Sequence, residues 1–321
     1  MKRGLIPVLI VALMLAVPLS LLAGRVWIDP FAPNTHNAAV IVMQLRLPRA
    51  VLALVLGAGL GAAGAAMQGY LRNPLADPGL FGIAPGAALG AVLSLWTGYA
   101  ASAWLLPAFA LIGASGAMAL LALIAGREGG IALFTLAGLM ISSLSSALVS
   151  LAISLSPTPF AVSEIVTWLM GALADRSWRD VWIAAPLTLA GIGVLIGAGR
   201  SLDGLTLGEA AARSLGVDPA RLQVLMIAGI GLTVGAGVAV AGIIGFLGLV
   251  VPHLVRPLTD RRPSSLIVPS ALAGALLLLV ADCLCRIMPL PGGELRLGIA
   301  LSLLGAPFFL HLLFRMRRGL A

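Results

Sequence analysis

Asp282 and Arg286 stand four residues apart near the outer end of an apolar run, and Arg46 and Arg49 stand three apart at the mouth of another. The first spacing puts a carboxylate and a guanidinium on one helix face as an ion pair. The second puts two guanidiniums on one face, where a fork can grip a carboxylate through two bonds or snorkel as an interfacial anchor. Catalytic chemistry is harder to build. Lys2 is the sole lysine of 321 residues, so a Walker A motif is excluded and the chain does not itself hydrolyse ATP. His36, His253 and His311 have no ligand-like spacing, and Cys283 with Cys285 are too few for a four-ligand metal site. No nucleophile, base and orienter assemble from the polar side chains in the apolar runs. Gly59 to Gly64 fits the dinucleotide fingerprint literally, but no strand precedes it and it reads as helix packing.

The elements that position these groups must be membrane helices. The chain is 60% hydrophobic and 10% charged with a mean hydropathy of +1.09, against about 25% charged for a soluble domain. Apolar windows fall near 5–23, 50–71, 83–100, 104–125, 131–155, 181–199, 222–243, 245–258, 266–285 and 297–314. They predict one all-α transmembrane domain over 1–321, a polytopic bundle of about ten transmembrane helices. The stretch 245–258 is short and reads as a broken or partial span. The first run has the length to cross, and a retained helix is preferred to a signal peptide cleaved near Ala23. With both termini cytoplasmic, the inner ends collect most of the 20 Lys and Arg, as the positive-inside rule asks. The net charge of +8 suits an anionic leaflet, not nucleic acid. Stripes such as Gly82, Gly86 and Gly90, or Gly57 and Gly61, predict close helix contacts.

The cytoplasmic stretch 201–221 encodes its own helix. Thr206 with Glu209 reads as a capping box, Leu207, Ala211 and Leu215 share a face, and Gly216 with Pro219 ends it. On this reading a proline at Glu209 breaks the helix. Either it lies among lipid headgroups or it seats in a groove of a cytoplasmic protein, which its thin alanine and leucine face suits better.

Arg46-Leu47-Pro48-Arg49, the run from Gln68 through Arg72-Asn73-Pro74-Leu75-Ala76-Asp77-Pro78, Gly208 to Gly216, Gly245 to Arg256, and Gly305-Ala306-Pro307-Phe308-Phe309 follow in order along the chain. Together they resemble the permease subunits of FecCD-like, type II ABC importers for iron-siderophores, haem and vitamin B12. The resemblance covers nearly the whole sequence. It implies ten helices per chain, a second permease chain in a homodimer, two cytoplasmic ATPase subunits and a periplasmic substrate-binding protein, all at the lipid of the cell inner membrane. ATP and magnesium would sit on the ATPase subunits, leaving no cofactor in this chain.

By the same resemblance Leu207, Gly208, Glu209, Ala210, Ala211, Ala212, Arg213, Leu215 and Gly216 form the coupling helix in the ATPase groove. Arg46 and Arg49 would meet acids of the binding protein; Arg286 and Arg296, which flank the last outer loop, are further candidates for the same docking by their position. Asn73 and Leu75 would line the cytoplasmic gate, although Asn-Pro and Asp-Pro pairs also simply start turns. The other gate segment reads Gly129-Gly130-Ile131-Ala132, without the hydroxyls some members show. The implied activity is alternating-access import of a bulky iron chelate, haem or cobalamin. The rival is an ion- or proton-coupled secondary carrier, which needs intramembrane acids, and of 12 Asp and Glu only Asp282 lies clearly inside an apolar span.

Overall fold

The computed structural model describes residues 4–24, 39–98, 104–126, 130–288 and 293–318. Lys2, His36 and Gly129, named above, lie outside them. Backbone amides in hydrocarbon have no water to bond and must pair within their own segment, so the long apolar runs close into helices. In chain order these are α1 (Leu5–Leu22), α2 (Leu47–Tyr70), α3 (Ile83–Trp96), α4 (Leu105–Ala125), α5 (Gly130–Ser154), α6 (Pro159–Leu169) and α7 (Trp178–Leu205). There follow α8 (Glu209–Ser214), α9 (Pro219–Ile230), α10 (Ala236–Ala241), α11 (Leu247–Val255), α12 (Pro263–Ile287) and α13 (Leu297–Arg318). A wide π turn at Ile41–Arg46 leads into α2, and another at Gly231–Gly235 joins α9 and α10 into one span.

Among the described residues 8 helices are long and apolar enough to cross a membrane. All ten predicted apolar segments are helical, but α3 has 14 residues and α11 has 9, short of the roughly 20 that span hydrocarbon. The partial span expected at 245–258 is therefore joined by a second at α3. One helix was not predicted. Pro159 stands at the start of α6, and the Thr158 hydroxyl accepts from Ala161 N at 3.2 Å.

The centre of the bundle is α2, packed against α12, α7 and α11. Bare backbone makes this possible: a Cβ on Gly57 would overlap the Gly274 carbonyl of α12, and one on Gly61 the Ser270 carbonyl. The fingerprint-like stretch is part of the same packing, since Gly59 faces Thr188 of α7 and Gly64 faces the Gly248 carbonyl. The stripe on α3 works the same way, with Gly86 and Gly90 against α4.

In the loop 201–221 the predicted capping box is not formed. Gly208 is the N-cap of α8, with φ +100, and the Thr206 hydroxyl instead donates back to Asp203 O at 2.7 Å. A threonine at Gly208 could not adopt that φ, so the turn needs a residue without Cβ and the side-chain cap is forgone. Leu207 consequently precedes the helix. Its end is as predicted: Gly216 has φ +83, and Pro219 begins α9 behind an Asp218 cap.

Candidate functional site

Arg46 donates through Nη1 to Leu21 O at 2.7 Å and Leu22 O at 3.0 Å, the last carbonyls of α1. Arg49 turns inward. Its Nε lies 3.0 Å from both oxygens of Asp282, Nη2 lies 2.9 Å from Oδ1, and Nη1 pairs with Glu294 at 2.8 Å. The predicted Asp282 and Arg286 pair is present at 3.2 Å, close enough for charge attraction without hydrogen-bond alignment at Nε, while Arg286 Nη1 reaches Ala23 O at 3.3 Å. Arg296 lines the same small crevice as Arg49, Asp282 and Glu294. Three guanidiniums, those of Arg49, Arg286 and Arg296, thus lie with two carboxylates, and Asp282 is wholly buried. The fork that spacing offered to an external carboxylate already holds an internal one.

The segment between α2 and α3 folds back on itself. Asn73 Oδ1 accepts from Leu75 N at 2.9 Å, and Asp77 Oδ1 from Gly79 N at 2.7 Å. These are the turn roles that short Asx side chains favour. The inner end of α2 is tied to α11, with Gln68 donating to Leu249 O at 3.2 Å and accepting from Arg256 at 2.6 Å. His253 meets the Phe308 ring edge-on, 5.7 Å between centroids, so two of the recognised motifs pack on each other.

Leu75 and Asp77 line a cavity of about 320 Å³, walled by Leu56 and Leu60 of α2, Val238 of α10, and Phe246. The break between α10 and α11 also lines it, and there Phe246 takes a left-handed φ of +63, an uncommon conformation for a bulky residue. Its lining is apolar apart from Asp77. Burial pushes the Asp77 carboxyl above its ordinary range, against the pull of the Gly79 and Leu249 amides.

The α8 loop presents its two leucines to the outside. Leu207 is 66% and Leu215 64% exposed, while Ala212 is fully buried against the body of the protein. Arg213 and Ala210 are also exposed.

Residues 5–315 match the FecCD transport family. The chain belongs to that family. It is 36% identical over 322 residues to the Fe(3+)-citrate import system permease protein YfmE of Bacillus subtilis (strain 168), covering 97% of this chain and 96% of that one. It is 39% identical over 314 residues to the vitamin B12 import system permease protein BtuC of Escherichia coli O9:H4 (strain HS), covering 96% and 94%. A solved structure described as an inward-facing conformation of a metal-chelate type ABC transporter superposes with a TM-score of 0.88 at 32% identity, covering 98% of this chain and 99% of that one. This FecCD chain is thus a permease of the ABC-importer type and a multi-pass inner-membrane protein.

Sequence reasoning about the FecCD chain missed three groups that the structure brings into play. Glu294 sits in the last outer loop, where no spacing rule connects it with Arg49. Asp203 accepts from Ser264 N at 2.9 Å, at the start of α12. Phe134 packs between Tyr70 and Phe81. Only Asp203 carried a signal, an acid in the last turn of a helix where bases are favoured.

Proposed function

We propose that the chain is the translocation subunit of an ATP-driven importer, moving a bulky iron chelate, haem or cobalamin by alternating access as a homodimer. Separate cytoplasmic ATPase subunits supply the energy and an external binding protein delivers the cargo. The observation that carries the reading is α8: a short helix between two spans, fixed at both ends by glycines of positive φ, with Leu207 and Leu215 exposed. Two exposed leucines beside an alanine-rich helix fit a protein groove better than a lipid surface. Leu207, Gly208, Glu209, Ala210, Ala211, Ala212, Arg213, Leu215 and Gly216 would make the ATPase contact, and α7 and α9, which flank the loop, would receive its motion.

Asn73 and Leu75 would form the inner gate, a reading supported by the place of Leu75 on the cavity wall. Arg46, Arg49, Arg286 and Arg296 would give the outer face its attraction for an acidic partner, with Arg296 at the rim and the other three also fastening the fold. A gradient-coupled carrier would need a titrating acid free to exchange its proton, whereas Asp282 is gripped by two arginines, which favours the ATP-driven reading.

Reconstitution tests it. The purified chain alone in liposomes should accumulate nothing under an ion gradient. With its ATPase and binding-protein partners it should show ATP hydrolysis stimulated by one of ferric citrate, a ferric siderophore, haem or cyanocobalamin; gradient-driven uptake without nucleotide overturns the reading.

A further inference from the structure

Glu209 is the first residue of α8, yet its carboxylate serves another helix. Oε1 lies 3.5 Å from Ile131 N in the first turn of α5, and both carboxylate oxygens lie 3.7 Å from where a Cβ on Gly130 would stand. That is long for a hydrogen bond, so the contact acts chiefly as a negative charge against the positive end of the α5 dipole. The first turn of α5 contains no acid of its own. The anion it favours is therefore supplied by α8. Asp203 does the same for α12 through Ser264, so acids lent between helices are a recurring device on this side of the bundle.

The contact leads onward. One turn into α5, the fully buried Phe134 ring meets Tyr70 edge-on, 5.1 Å between centroids, and stacks on Phe81 at 5.6 Å. A turn later Gly138 receives the Phe81 ring so closely that a Cβ there would stand 2.7 Å from it. Tyr70 ends α2, and Phe81 ends the 3-10 turn Pro78–Phe81. They bracket the segment that carries Asn73 and Leu75. A continuous packed path thus runs from α8 through Glu209, the first turns of α5 and three interlocked rings to that segment, and close-packed groups pass displacement on because they have little room to absorb it.

We propose that Glu209 is a positioning residue through which α8 steers the first turn of α5 and, by way of Phe134, the segment bearing Asn73 and Leu75. The proposal deepens the reading of α8 as the ATPase-docking helix and rests on it. Motion arriving at α8 would then reach the inner mouth of the cavity directly, as well as through α7 and α9.

Coupling is established by a displacement that both ends bias, so the test measures one. In the complete complex with its ATPase subunits, held in nanodiscs, Cys283→Ser and Cys285→Ser remove the native thiols. Spin labels at Ala132→Cys and Val268→Cys, both exposed positions, report the first turn of α5 against α12 with and without ATP and vanadate. Glu209→Gln, equal in size but uncharged, should lose most of the nucleotide-driven distance change in complexes that hold their ATPase subunits. Glu209→Asp should restore much of it, which a merely space-filling role would not require. An undiminished change in Glu209→Gln, or no change in the parent, overturns the proposal. A Glu209→Gln permease that no longer assembles with its ATPase subunits at all would make Glu209 a docking contact only and overturn it too, with the docking reading intact. The docking reading itself fails separately if Leu207→Ser with Leu215→Ser leaves ATPase association unchanged.

Discussion

Arg49 closes on Asp282 across 233 residues of chain, joining the first turn of α2 to the outer end of α12 with three short hydrogen bonds. Because Asp282 is wholly buried and Arg49 only 12% exposed, neither charge can be left alone at small cost. Removing one partner of a buried pair typically costs about 3–5 kcal/mol. Asp282→Asn should lower the thermal unfolding midpoint of the purified permease accordingly, and Arg49→Leu with Asp282→Leu should lose less than the two single changes together. An Asp282→Asn protein as stable as the parent would contradict this account.

The same geometry separates docking from folding at the outer face. Charge reversal at Arg49 should reduce both stability and binding-protein capture, whereas Arg296→Glu should slow capture, most at low salt, and leave the unfolding midpoint in place. Association kinetics at two ionic strengths, beside a thermal melt, check it; an unchanged on-rate in Arg296→Glu removes that residue from the docking face.

Glycines of the bundle should divide by what stands opposite them. Gly57→Ala drives a methyl into the Gly274 carbonyl and should destabilise by about 1–3 kcal/mol, as overpacking does. Gly193→Ala, in the interior of α7 with nothing within 4 Å of the new Cβ, should be neutral or stabilising by up to about 1 kcal/mol. Denaturation in detergent distinguishes the two, and equal effects would refute the close approach of α2 and α12.

Asp77 gives a pH dependence. Its carboxyl titrates above the ordinary value in the folded protein, so the folded state holds the proton more tightly than the unfolded chain. The stability it contributes is present at acid pH and is lost as pH rises from the ordinary carboxylate value through the raised one. Asp77→Asn keeps an acceptor for Gly79 N without the charge. It should match the parent in acid and be more stable at neutral pH; a constant difference between the two across pH would be inconsistent with burial as the cause.

Proline scanning of α8 should discriminate within a few residues. Glu209 occupies the first helical position, where proline is tolerated, so Glu209→Pro leaves the helix standing, contrary to the expectation from sequence. Ala212 N donates to Gly208 O at 2.9 Å and its side chain is buried. Ala212→Pro should therefore cost about 3 kcal/mol or more and abolish ATPase co-purification, while Glu209→Pro, its helix intact, should impair it far less.

What could be read from the sequence follows the range of the interaction. Asp282 and Arg286 are one helical turn apart, so their pairing was visible as spacing, as were the glycine stripes and the stop at Gly216. The second arginine on Asp282 comes from the far end of the chain, and only the folded bundle brings it there. Thr206 and Glu209 matched a local rule, but the left-handed backbone at Gly208 removed the geometry the rule assumes and sent the carboxylate to α5. For α6, by contrast, Thr158 ahead of Pro159 is a legible helix start, but its 11 residues are too few to cross a bilayer and do not stand out as an apolar span.

The wide turn at Gly231–Gly235 makes length and facing separate properties of the span it interrupts. Deleting one residue there would leave about 22 residues, roughly 33 Å of helix and enough to traverse the lipid. Everything beyond the deletion would, however, swing by about 100° around the axis. Val238 and Gly237 would rotate off the cavity wall and present their lining face to a neighbouring helix. The surplus residue acts as an angular offset, and its loss would be felt as a twist of the wall rather than as a shortened rod.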